Sequence, residues 1–119
     1  MSQVRLVTDI PIFHKMYDLY QLLHRYHQRV PKSDRYVLWQ RCESTALQAL
    51  EILIDTGHYF GEERMSRLRE FSNKIDLLKV LIRLAKEHRS IDNSQYLSLQ
   101  NLLQEIGKMI GGWMKSVPR

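Results

Sequence analysis

Ile75-Asp76-Leu77-Leu78-Lys79-Val80-Leu81-Ile82-Arg83-Leu84-Ala85-Lys86 is the stretch on which the fold turns. At about 100° per residue, Ile75, Leu77, Leu78, Val80, Leu81, Ile82, Leu84 and Ala85 cover roughly 220° of a helix. A helix in a monomeric bundle needs an apolar stripe of only about 100° or somewhat more. The excess has to be covered elsewhere, either by a central place in its own bundle or by another subunit. Four helices leave little room for a central one. Leu77, Val80, Leu81 and Leu84 are therefore assigned to an oligomer interface. The polar window left over holds Lys79, Arg83 and Lys86, within about 60° of one another. Spacings of four and three stack these cations along one line, where like charges repel by a few tenths of a kcal/mol per pair. One reading is a stripe that contacts phosphates. The other is a solvated face partly paired with Asp76.

Working outward, the helix around this stretch runs from about residue 62 to 88. Glu62 and Glu63 stand in its first turn and Lys86, His88 and Arg89 in its last, the polarity that the helix dipole prefers. At 1.5 Å per residue it is roughly 40 Å long. A further helix follows at about 93–115. Asp92 and Gln95 form a capping box at its start, and Ile91 can staple onto Tyr96. Tyr96, Leu99, Leu103, Ile106, Ile110 and Trp113 make its apolar stripe. On the other side, Gly57 to Gly61 reads as a short loop, with Gly57 ending a helix at about 33–56. Ser33 or Asp34 can cap that helix, and Tyr36, Trp39, Cys42, Ala46, Ala49 and Leu53 share one face. Pro31 separates it from a first helix at about 10–29. There Asp9 is a candidate N-cap and Pro11 suits the first turn. Phe13, Met16, Tyr20, Leu23, His27 and Val30 recur at helical spacing. The expected fold is all-α: one antiparallel up-down-up-down four-helix bundle over residues 1–119, assembled as a homo-oligomer.

Composition bounds the function. The chain has 119 residues, 44% of them hydrophobic, and a net charge of +5 from 18 Lys plus Arg against 13 Asp plus Glu. That surplus favours polyanionic partners, although an ordinary basic globule can carry it. A second basic cluster, Arg25, Arg29, Lys32 and Arg35, spans the first helix junction, with His24 and His27 among it. If the two clusters converge in an oligomer, several phosphates are engaged at once. Each phosphate neutralised adds about 0.9 to the salt-dependence slope on duplex DNA.

Several classes of chemistry find no support. The one cysteine, Cys42, permits no internal disulfide and lies on an apolar stripe, as a buried structural thiol would. No apolar run reaches the length of a membrane span. Met1 to Asp9 lacks a signal-peptide core, so a cytoplasmic protein is expected. The Glu-x-x-His signature of di-iron bundles is absent. Asp55 and His58 have a similar spacing, but Gly57 interrupts the helix between them. His24 and His27 share a face with no carboxylate or thiolate near them in sequence. No metal, no cofactor and no catalytic residue is expected. There is no glycine-rich phosphate loop. Gly107-x-x-x-Gly111 and Gly112 lie inside the last helix, where each glycine costs up to about 1 kcal/mol relative to alanine. Close contact with another helix or subunit is the simplest compensation; Lys108 and Lys115 argue against packing in a membrane. Trp39, Trp113 and the tyrosines at helical spacing read as core.

The last helix, with Glu105-Ile-Gly-Lys-Met-Ile-Gly-Gly-Trp-Met-Lys115, resembles the C-terminal helix of the accessory variability determinant proteins of diversity-generating retroelements. The resemblance continues through Leu78-Lys-Val-Leu-Ile-Arg-Leu-Ala85 and the Val30-Pro31-Lys32 junction, about Tyr17 to Val117 in all. It implies a homopentameric, barrel-like assembly of four-helix protomers whose basic surface binds nucleic acid, RNA or DNA, and the element's reverse transcriptase. It further implies support of template-primed, adenine-mutagenic cDNA synthesis, without catalysis by the accessory protein itself. Carried onto this chain, Lys79 and Arg83 match paired basic positions of the family's third helix; Arg29, Lys32 and Arg35 share its basic character. The wider superfamily includes four-helix proteins encoded by intervening sequences of bacterial 23S ribosomal RNA genes. They share the Glu-Ile-Gly-Lys type of ending, and imply an interaction or scaffold role without a retroelement partner. Gly112-Trp113 is closer to the retroelement branch.

Overall fold

The computed structural model describes residues 10–118. Four helices account for it. Helix α1 is Pro11–Tyr26 and ends in a 3₁₀ turn, His27–Arg29. Helix α2 is one continuous run built from three pieces: a short α-helical turn Lys32–Asp34, a π-helical segment Arg35–Trp39 and an α-helix Gln40–Thr56. Helix α3 is Gly61–Glu87 and α4 is Asn93–Ser116. No strand occurs among the described residues. Each helix packs on its chain neighbours and α4 closes back on α1, while the diagonal pairs make no close approach. The molecule measures 45 × 26 × 20 Å, and its long dimension matches the roughly 40 Å expected of α3.

One buried cluster threads all four helices. From α3 it takes Met65, Leu68, Phe71, Ile75, Leu78, Ile82 and Ala85, at spacings of three and four along a single stripe. Helix α4 contributes Leu99, Leu103, Ile106 and Ile110. Tyr96 and Trp113, expected on that stripe, are only half-buried at its margins. In α1 the sealed residues are Ile12, Met16, Leu19 and Leu23, while Phe13 and Tyr20 flank them. The expected α1 face was thus turned by part of a residue, because Phe13, Tyr20 and His27 lie along one border of the buried stripe.

The largest departure lies at the start of α2. Tyr36 was placed on one face with Trp39, yet Trp39 is fully buried and Tyr36 is 63% exposed. A spacing of three shares a face only in a helix of about 3.6 residues per turn; the π-helical segment Arg35–Trp39 widens the turn and shifts the register. Trp39 then donates its Nε1–H to the carbonyl of Leu23 at 3.0 Å, tying α2 to α1. Neither Ser33 nor Asp34 caps this helix. Asp34 instead accepts a hydrogen bond from Ser90 Oγ, joining the start of α2 to the α3–α4 connection. Asp9, the candidate cap of α1, and the Met1 to Asp9 stretch lie outside the described residues. The N-cap position of α1 is Ile10, with no side-chain hydrogen bond, and Pro11 stands in the first turn.

Punctuation elsewhere follows the sequence. Gly57 ends α2, and Gly61 opens α3 at a φ of +56°, a conformation open to glycine at no steric cost. The Asp92–Gln95 capping box forms in both directions, at 2.8 and 2.9 Å. Helix α3 ends in a Schellman closure: the N–H of Ser90 reaches the carbonyl of Ala85, and that of Arg89 the carbonyl of Lys86. The left-handed position of this motif is usually glycine. Here it is Arg89, at a φ of 61°, a conformation that costs an L-residue about 1–2 kcal/mol.

Candidate nucleic-acid interface

The outer side of α3 is where the apolar excess ends up. Val80 is 57% and Leu84 38% exposed, about 160° round the helix from the sealed Ile82. Leu77 is half-buried, and Leu81 packs partly on the protomer's own core. Leu97 on α4 is exposed as well. The four residues assigned to an oligomer interface therefore split. Val80 and Leu84 are left uncovered, Leu77 lies between, and Leu81 is partly satisfied within the chain.

The cationic strip does not point straight out to solvent. It runs along the side of α3 that borders α4. Lys79 is half-buried, and its Nζ lies beside Gly107, where an added Cβ would meet it at 3.6 Å. The Lys79 backbone carbonyl accepts a hydrogen bond from Gln100 Nε2 at 3.4 Å. The Lys86 ammonium sits 4.5 Å from the centre of the Tyr96 ring, a cation–π contact that holds it against α4. Arg83 is exposed and pairs with Glu87 at 3.0 Å, one turn along. Such exposed i,i+4 pairs contribute about 0.3–0.5 kcal/mol and exchange readily for a stronger anion. Asp76, the carboxylate expected to neutralise the strip, makes no ion pair among the described residues.

The second cluster divides. Arg25, Arg29 and Lys32 are exposed. Arg35 is committed to structure: its Nη2 donates to the carbonyls of Gln28 at 3.0 Å and Val30 at 3.1 Å, and its Nε is buried without a partner. These bonds satisfy carbonyls that the end of α1 leaves orphaned, so Arg35 is a latch across the junction. Arg29 and Lys86, drawn from the two clusters, line one cleft within a single protomer. Convergence needs no oligomer at that point. Arg89 joins them there; in the sequence it is only a charge in the last turn of a helix, since nothing local reveals that α1 ends opposite it.

Two further expectations change with the fold. His24 and His27 do have a carboxylate beside them in space. Glu43 of α2 lies 2.7 Å from His27 Nδ1 and 3.7 Å from His24 Nδ1. No group of three or more His, Cys, Asp or Glu side chains able to hold a metal occurs among the described residues. Among the described residues, Gly107 alone of the α4 glycines faces a neighbour, and nothing lies within 4 Å of a Cβ placed at Gly111 or Gly112. Close packing against the described residues therefore does not account for those two. Cys42 is fully buried, and burial pushes its thiol up to about 12, with the charge of Glu43 adding to the effect. At neutral pH it is a thiol, not a thiolate. No described helix is long and apolar enough to cross a membrane.

Compared with known proteins, residues 11–117 match a family model described as bAvd-like. No curated protein matches the chain.

Proposed function

Since this chain belongs to the bAvd-like family, we propose that it is the accessory variability determinant of a diversity-generating retroelement. In this reading it is a non-catalytic, cytoplasmic subunit. Up-down-up-down protomers assemble into a homo-oligomer, a pentamer by family resemblance, through Leu77, Val80, Leu81 and Leu84. The assembly holds nucleic acid and the element's reverse transcriptase while mutagenic cDNA is made.

The observation that supports the nucleic-acid part is the strip Lys79–Arg83–Lys86. It bears three cations along the α3–α4 border with one exposed carboxylate, Glu87, against them. Lysine and arginine heads held at the rim of apolar surface meet a phosphate backbone without reading bases. Their position beside the uncovered Val80 and Leu84 supports an assembly in which strips from several protomers act on one strand. Separate phosphate contacts then add in the salt dependence.

The test is RNA and DNA affinity against salt for the unsubstituted chain and for Lys79→Ala with Arg83→Ala. The double variant is expected to bind more weakly, with a log–log salt slope reduced by about 1.4 on single strands and about 1.8 on duplex, for two contacts per site. Unchanged affinity and slope would remove the strip from the site. Co-purification with the reverse transcriptase encoded beside the gene tests the second partner. Failure of the two to associate would remove that part of the reading.

A further inference from the structure

At the end of the bundle where α3 stops, three cations from different elements line one cleft of about 530 Å³. Arg29 comes from the 3₁₀ turn after α1, Lys86 from the last turn of α3 and Arg89 from the connection to α4. Among the described residues none of the three makes an ion pair. Two carboxylates stand close by, each accepting a hydrogen bond from a neighbour and neither in an ion pair with the three cations among the described residues. Asp92, on the cleft wall, accepts the Gln95 N–H at 2.8 Å, and Asp34 accepts the hydroxyl of Ser90. Asn93, also on the wall, is the first residue of α4, where a backbone N–H has no partner within its own helix.

Arg89 is the second, independent sign. Its left-handed backbone is needed to close α3, but an arginine is not, because glycine takes that φ without strain. The helix dipole favours a cation near this terminus, yet Lys86 supplies one from within the helix itself. A strained backbone at a cleft wall points to a role for the side chain it carries. A guanidinium offers a planar fork of donors suited to a phosphate, and two of them with an ammonium surround it from three elements.

We propose that this cleft is a discrete seat for one phosphate group of a nucleic-acid strand, clamped by Arg29, Lys86 and Arg89 and sharing only Lys86 with the strip Lys79–Arg83–Lys86. The proposal rests on the reading that the protein binds nucleic acid. The phosphate is a terminal monoester or an internal diester of the strand; both present anionic non-bridging oxygens to the same donors.

The experiment uses the full chain with inorganic phosphate and with a short RNA carrying either a 5′-phosphate or a 5′-hydroxyl. Phosphate titration by amide NMR is expected to shift Arg89, Ser90 and Asn93 in the unsubstituted chain and not in Arg29→Ala with Arg89→Gly. That cleft variant is expected to lose at least about tenfold in RNA affinity. A loss confined to the 5′-phosphorylated RNA identifies a terminal phosphate; an equal loss on both identifies an internal one. Because glycine relieves the backbone at position 89, the single variant Arg89→Gly is expected to melt at the same temperature or a few degrees higher; a lower Tm would overturn the case built on strain. Unchanged RNA affinity in the cleft variant, with weakened binding in Lys79→Ala/Arg83→Ala, overturns the seat and leaves the strip standing. An unsubstituted chain that binds neither RNA overturns both readings.

Discussion

On α3, Ile75, Leu78, Ile82 and Ala85 lie sealed inside the bundle, whereas Val80 and Leu84, on the far side of the same helix, keep 57% and 38% of their surface. The residue types are alike and their sequence positions interleave. What separates them is which neighbours arrive. Each inner side chain meets atoms from other helices and gains both removal from water and dense contact. Among the described residues, the outer ones meet no other element with enough surface to cover them. The apolar arc of α3 is wider than its own bundle seals, and the cationic strip runs along one edge of that arc.

The sharpest way to break this comparison is to truncate one residue on each face. Ile82→Ala removes packed atoms and leaves a cavity, so it is expected to cost about 3 kcal/mol of unfolding free energy in denaturant titration. A loss below about 1 kcal/mol would mean that the inner face is not the main core.

Next in size is a titration. Burial holds the Cys42 thiol protonated up to about 12, whereas an exposed thiol ionises near its ordinary value of 9.0. Above pH 9 the unfolded chain therefore binds fewer protons than the folded one, and stability falls as pH rises from 9 towards 12. The Cys42 share of that slope is up to about 1.4 kcal/mol per pH unit. Chemical denaturation at stepped pH, with Cys42→Ala as reference, isolates it. An equal slope in both proteins would show the thiol to be accessible.

On the outer face the expectation inverts. Val80→Asp with Leu84→Asp is expected to change protomer stability by no more than about 0.5 kcal/mol, while light scattering shows the assembly reduced towards the mass of one chain. A loss of several kcal/mol with no change in mass would make these residues core after all. The smallest effect belongs to the Arg83–Glu87 pair. Glu87→Gln is expected to alter stability by about 0.3–0.5 kcal/mol at most. The same change frees Arg83 and should strengthen RNA binding, read as a lower Kd at low salt.

Much of this was legible in the chain. Helix number, the Gly57 stop, the Pro11 start and the Asp92–Gln95 box are local events, decided by residues within a few positions of one another. The excess of grease on α3 was legible for the same reason: a wheel needs only the helix itself. Register in α2 was not. The π-helical segment Arg35–Trp39 lets Trp39 reach the Leu23 carbonyl, and that demand comes from α1. Periodicity alone then placed Tyr36 inside when it stands outside.

The candidate site divides along the same line. Lys79, Arg83 and Lys86 share a face because helical geometry makes them do so. That Arg35 latches a junction, that Glu43 meets two histidines, and that Arg29 and Arg89 line one cleft are contacts between segments far apart in the chain. The residues by themselves determined four helices, their punctuation and a basic protein with more apolar surface than one bundle can seal. Only the tertiary structure decided which cations stand free and which are consumed in holding the fold. A charge carries no mark of its partner until the chain has brought distant carbonyls, carboxylates and rings within hydrogen-bonding reach.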